Sequence, residues 1–175
     1  MKKLKHWAVA LACVATMGTA SGCGSSLSVP DKFCQVPVKR SALSPLVPEG
    51  DALAQKYSES QAQPGAACIL SVDDHQVLSV NLLRWDHAPD PVNWKAVASP
   101  YKHAAKRDVS FPGGAVIGSD QAVVQANCDS PSAYMSFTFF FRGARVEESA
   151  GGYKKLQHFI DDFVPRETKK FDCTG

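Results

Sequence analysis

Between Tyr134 and Arg142 the chain alternates with a period of two. Met135, Phe137, Phe139 and Phe141 share one side, and Tyr134, Ser136, Thr138 and Phe140 share the other. That is the period of a β-strand, whose successive side chains point to opposite faces. Four large apolar side chains on one face need a thick cover, and a helix supplies one. A cover follows in the sequence. Leu156, Phe159, Ile160 and Phe163 fall at i, i+3, i+4 and i+7, with Lys154, Lys155, Asp161 and Asp162 off the stripe. Pro165 predicts that this helix stops near Val164. The Met/Phe face therefore reads as core rather than as a ligand box, and His158 falls on the polar, solvated side of the helix.

The other elements are shorter. Leu43, Leu46, Val47 and Leu53 are interrupted by Pro45, Pro48 and Gly50, which predicts a short turn and then a helix from about Glu49 to Ser58. Ser60 to Gly65 reads as loop. Cys68 to Val72 and Gln76 to Trp85 read as a hairpin turned at Asp73-Asp74-His75, with Leu78, Val80 and Leu82 on one face. Ala115–Ile117 and Gln121–Cys128 predict a second strand pair, with Ala122, Val124, Ala126 and Cys128 on one face. Pro89, Pro91, Pro100 and Pro112 forbid a continuous element over 86–114. Within that stretch Ser99-Pro100 looks like a helix start, predicting a short helix over Tyr101–Arg107. The sum is an α+β domain: an antiparallel sheet of about five strands covered by helices.

The N-terminus has the shape of an export signal. Lys2, Lys3 and Lys5 are followed by an almost uncharged apolar stretch over Ala8–Ala20, then by small residues. Removal of residues 1–22 leaves 153 of the 175 residues, enough for one domain with a real core. It also removes three of the 19 Lys+Arg residues, leaving 16 against 17 Asp+Glu. That near-neutral balance offers no basic stripe for nucleic acid. With Cys13 in the signal and Cys23 at its end, Cys34, Cys68, Cys128 and Cys173 remain. An even number in an exported chain points to two disulfides. Three connectivities are possible. Cys34–Cys68 with Cys128–Cys173 is preferred because it gives each half of the domain its own staple. No Cys-x-x-Cys pair exists to favour structural zinc.

The run Ala20-Ser21-Gly22-Cys23, followed by Gly24-Ser25-Ser26, resembles the lipobox of bacterial lipoproteins. The resemblance implies that Cys23 receives a diacylglycerol and acyl chains such as palmitate, becomes the mature N-terminus and holds the protein on the outer face of the cell membrane. Two or more acyl chains suffice for stable anchoring. A plain secreted protein with a chance cysteine is the other reading. Residues 23–32 then serve as a flexible tether, and 33–175 as a single domain. Cys34, a helical segment and Cys68 opening a strand are similar to the pattern of the DUF3558-like lipoproteins of actinobacteria, a family of unknown function. The Gly113-Gly114 to Cys128 stretch is similar to segments of exported actinomycete proteins. Cys68 is followed by Ile69-Leu70, where that family has Cys-Thr-Trp. The resemblance implies an envelope location and a layered α/β domain, and it supplies no catalytic residues.

Two constellations carry chemistry. Asp73-Asp74-His75 could hold a metal or polarise a base, but the same residues make an ordinary polar turn. Trp85, Asp86, His87, Asp90 and Trp94 could line a ligand site, with the indoles stacking on a sugar or another flat ligand. The plainer alternative puts Trp85 at the end of a core strand and uses Trp94 to pin the proline-rich loop. Tyr101-Lys102-His103 with Lys106-Arg107 forms a basic patch that also reads as a solvated helix face. No Gly-x-Ser-x-Gly elbow, P-loop, dinucleotide fingerprint or His-Glu-x-x-His is present. The sequence thus predicts no cofactor and, first, a non-catalytic envelope module that binds a ligand or another protein. An envelope hydrolase and an accessory subunit of an envelope complex are the alternatives.

Overall fold

The computed structural model describes residues 27–175. The expected signal, Cys23 and the first part of the tether lie outside the described residues. The end of the expected tether is not free, because Leu27 and Val29 already pack against the core.

The described residues form nine strands and three α-helices. A small ribbon, β1 (Lys32–Phe33) with β2 (Val36–Pro37), leads into α1 (Arg40–Leu43) and a 3-10 turn over Ser44–Leu46. Then come β3 (Leu53–Glu59), β4 (Gly65–Val72), β5 (His75–Trp85), α2 (Trp94–Ala98), β6 (Ala105–Arg107), β7 (Gly113–Ile117), β8 (Gln121–Asn127), β9 (Tyr134–Phe141) and α3 (Tyr153–Lys170). Strands β3 to β9 form one antiparallel sheet of seven in the order β3-β4-β5-β9-β8-β7-β6. It consists of two meanders, β3-β4-β5 and β6-β7-β8-β9, joined where β5 pairs with β9.

The α+β expectation holds, with seven strands in the main sheet rather than about five. The two additional strands are both stretches that the sequence predicted as helix. In β3 only Leu53 and Tyr57 among the larger side chains turn toward the core, and their spacing of four imitates one face of a helix. The remaining side chains of this edge strand are mostly polar and exposed, as edges require. The second case is β6. The helix there begins earlier than Ser99: the Asn93 side chain accepts the Ala96 N–H at 3.1 Å and starts α2 at Trp94. Ser99 instead ends it, its hydroxyl donating to the Ala96 carbonyl at 2.9 Å. His103, at φ +55°, reverses the chain into β6.

Helix α3 runs through Pro165 to Lys170 instead of stopping at Val164. A proline inside a helix leaves the carbonyl four residues back without its N–H. That carbonyl belongs to Asp161, and the Ser110 hydroxyl donates to it at 3.4 Å. The loop before β7 thus supplies what the proline removes.

One sheet face is the core. Leu70, Leu78, Val80, Leu82, Val124, Met135, Phe137, Phe139 and Phe141 are buried against Leu156, Phe159, Ile160, Phe163 and Val164 of α3. Phe33, Leu43 and Leu46 complete the layer. The Phe139 ring meets Phe159 and Phe163 edge-on at 6.2 and 6.1 Å. Two disulfides close the structure, Cys34–Cys68 onto β4 and Cys128–Cys173 between the end of β8 and the tail. Such bridges form and persist in an oxidising compartment, outside the cytosol. No helix among the described residues is long and apolar enough to cross a membrane.

Candidate functional site

The second sheet face is only partly covered. Its middle is set by one cross-strand row, in which Leu83 of β5, Ser136 of β9, Gln125 of β8 and Gly114 of β7 lie side by side. The next row places Trp85, Tyr134 and Asn127 together. This face carries polar aromatic and amide side chains, Trp85, Tyr134, Gln125 and Asn127, where the helix-covered face carries phenylalanines and aliphatic residues.

Trp85 ends β5 and stacks on Tyr134, with ring centroids 6.1 Å apart and planes 15° apart. Its indole N–H donates to the Ser136 hydroxyl at 2.8 Å, which fixes the ring over β9. His87 stands edge-on to both rings, 5.7 Å from Trp85 and 5.5 Å from Tyr134. Nδ1 of His87 lies 2.9 Å from the Ala88 carbonyl oxygen, which can only accept. In the neutral ring Nδ1 therefore carries the proton and Nε2 is left as an acceptor. Burial, and then the negative charge of Asp90, hold the Tyr134 hydroxyl above its ordinary pKa, so it remains a neutral O–H. Asp86 pairs outward with Arg84 at 3.0 Å.

Trp94 sits elsewhere on the same face. It lies over Gly114, so close that a Cβ there would stand 2.6 Å from its Cζ2. Glycine is what lets the indole sit on the strand. Beside it, Trp94, Lys95, Ala98, Ala104, Ala105 and Lys106 line a shallow cleft of about 360 Å³. From Gly114 to Ser136 is two strand spacings, about 10 Å. Gln125 lies between these two anchor positions, and its amide donates to the Asn127 side chain at 3.2 Å.

Of the residues singled out from the sequence, Trp85 and His87 join one aromatic cluster. Asp86 is held by Arg84, and Trp94 occupies the far end of the platform. Tyr134, Ser136, Gln125, Asn127 and Gly114 were missed as site residues. The only signal for Tyr134, Ser136, Gln125 and Asn127 was the alternation of β8 and β9, which shows that the residues of one strand share a face without showing which residues stand beside them. The other constellation is a turn. Asp73 and Asp74, at φ +49° and +64°, form a two-residue hairpin turn with both central residues left-handed. The Asp73 carboxylate accepts the N–H groups of Asp51 and Ala52 at 3.0 and 2.8 Å. Among the described residues no three His, Cys, Asp or Glu side chains gather to hold a metal. The expected basic patch is divided as well: Lys102 pairs with Glu148, and the Arg107 guanidinium lies 3.8 Å from the centre of the Tyr153 ring.

Comparisons of the chain with family models, with curated proteins and with solved structures find no match. Indoles, a phenol, an imidazole and side-chain amides on a strand platform offer apolar stacking area beside hydrogen-bond donors and acceptors.

Proposed function

We propose that this protein is a non-catalytic binding module of the cell envelope, anchored through a lipidated Cys23, that takes a sugar ring or a similarly flat polar ligand on the open face of its sheet. One observation carries the reading: Trp85 and Trp94 stand on one face, Trp85 bonded to Ser136 and Trp94 over Gly114, and these two anchor positions lie about 10 Å apart by strand spacing with Gln125 between them. Stacking supplies affinity without demanding charge, and the amides and the Tyr134 hydroxyl supply orientation. The near-neutral domain is consistent with an uncharged partner. Disulfides, together with the lipobox-like run and the spacing of Cys34 and Cys68 shared with DUF3558-like lipoproteins, support an exported, tethered position.

Two experiments test this reading. Titration with soluble oligosaccharide fragments of the cell wall, followed by tryptophan fluorescence, is expected to saturate. Trp85→Ala and Trp94→Ala should each weaken binding about tenfold or more, a loss of the size of one aromatic contact. Saturation that survives both substitutions overturns the platform. Intact mass of the protein from a membrane fraction should give a chain starting at Cys23 with added acyl mass, and Cys23→Ser should abolish it. An unacylated soluble chain overturns the anchor.

A further inference from the structure

Glu167 occupies a place where the apolar stripe of α3 calls for hydrocarbon. It follows Ile160, Phe163 and Val164 along the same side of the helix and, like them, is fully buried. Neither carboxyl oxygen has a hydrogen-bond partner among the described residues. An isolated carboxylate in such a place is far costlier than the neutral acid. Burial accordingly pushes the pKa of Glu167 from its ordinary 4.5 to about 7, against the opposing pull of Lys170.

Lys170, one turn further along α3, is engaged elsewhere. Its ammonium donates to the Cys34 carbonyl at 3.1 Å and to the Tyr57 hydroxyl at 3.3 Å, and it lies 4.6 Å from the centre of the Tyr57 ring. From β3, Tyr57 faces this space, with Glu59 beyond it accepting the Tyr57 hydroxyl at 3.3 Å. The N-terminal segment contributes the Cys34 carbonyl and the Cys34–Cys68 bridge, which does not titrate. The charged side chains of that segment turn away: Lys39 pairs with Asp162, Arg40 pairs with Asp31, and Lys32 is exposed. Lys170 therefore has two competing tasks, holding Cys34 and Tyr57 or neutralising Glu167.

We infer that Glu167 and Lys170 form a proton-operated latch joining the end of α3 to edge strand β3 and the Cys34 segment. With Glu167 protonated, Lys170 remains on Cys34 and Tyr57 and the latch is closed. When the carboxyl releases its proton to solvent, the buried charge demands Lys170 or water. Either response costs the contacts that hold β3 and the N-terminal segment to the helix. The tether side of the domain thus loosens as pH rises from about 4.5 to about 7, levels off above that, and tightens in mild acid.

Amide hydrogen exchange of the full chain at pH 5.5 and pH 8.0, corrected for intrinsic rates, tests the latch. A carboxyl that titrates near 4.5 when open and near 7 when closed raises the opening constant of Leu53–Glu59 about thirtyfold over that interval. Glu167→Gln, which keeps the shape but cannot ionise, should remove the step. Lys170→Met should leave the strand poorly protected at both pH values. Carbon-13 NMR of the wild-type Glu167 carboxyl should show a midpoint near neutrality, a readout that does not depend on any variant folding. Equal protection of wild-type β3 at both pH values, an undiminished step in Glu167→Gln, or a midpoint in the ordinary carboxylate range overturns the inference.

Discussion

Phe139 and Phe159 meet edge-on at 6.2 Å with no exposure to solvent, one from the sheet and one from the helix that covers it. Phe139→Ala or Phe159→Ala should each cost about 3–5 kcal/mol, the usual loss for truncating a buried aromatic ring. Because the two rings touch, the double variant should lose less than the sum of the two. Urea denaturation of the four proteins completes the cycle, and a loss below about 1 kcal/mol for either single variant would reject this packing. These residues were legible because burial imposes a period on the sequence. The site was legible only in part. Trp85, His87 and Trp94 stand out as residue types, whereas Ser136 and Gln125 are ordinary residues given significance by the strand register. Register depends on pairing between distant segments, which the spacing within one segment does not encode.

Among the elements, α3 shows how a local signal can be overruled from outside. Pro165 is a sound stop signal, and the helix continues because Ser110, on a loop distant in sequence, bonds the carbonyl that the proline leaves open. Asp161 strengthens the docking by accepting the Ser110 N–H at 3.0 Å. Ser110→Ala should then leave the Asp161 carbonyl short of a partner and cost about 1 kcal/mol, with the backbone bond at Ser110 retained. Chemical denaturation would measure that loss, and exchange at Val164–Lys170 should rise with it. No change in either would show that the proline is tolerated without this loop. The edge strands β3 and β6 were missed for a related reason. An edge strand buries little, so its alternation is faint, and two core-facing residues four apart satisfy a helix pattern equally well. Strands β5, β8 and β9, each paired on both sides, carried the clearest alternation and were read correctly.

For the molecule as a whole, the two meanders meet along one seam, β5 against β9, and each carries its own disulfide. Cys34–Cys68 spans 34 residues and ties the N-terminal segment to β4; Cys128–Cys173 spans 45 and ties the tail to the end of β8. Loop entropy assigns about 4 kcal/mol to each, so stability alone does not distinguish them. Their positions relative to the open face do. Cys128 follows Asn127, and the Asp129 N–H donates to the Cys173 carbonyl at 2.8 Å, so this bridge steadies the row that holds Trp85 and Tyr134. Both bridges pack into the covered side, but the other one ties the Cys34 segment, which Lys170 holds, to β4 and not to that row. Replacing Cys128 and Cys173 together by Ser should therefore lower both the melting temperature and the affinity for the oligosaccharide probe. Replacing Cys34 and Cys68 should lower the melting temperature by a similar amount and leave the affinity of the folded protein unchanged. Calorimetry and fluorescence titration, both well below the melting temperature, separate the two effects. Equal loss of affinity in both variants would mean that the sheet transmits strain across the β5–β9 seam and that the two meanders do not behave as separately stapled halves.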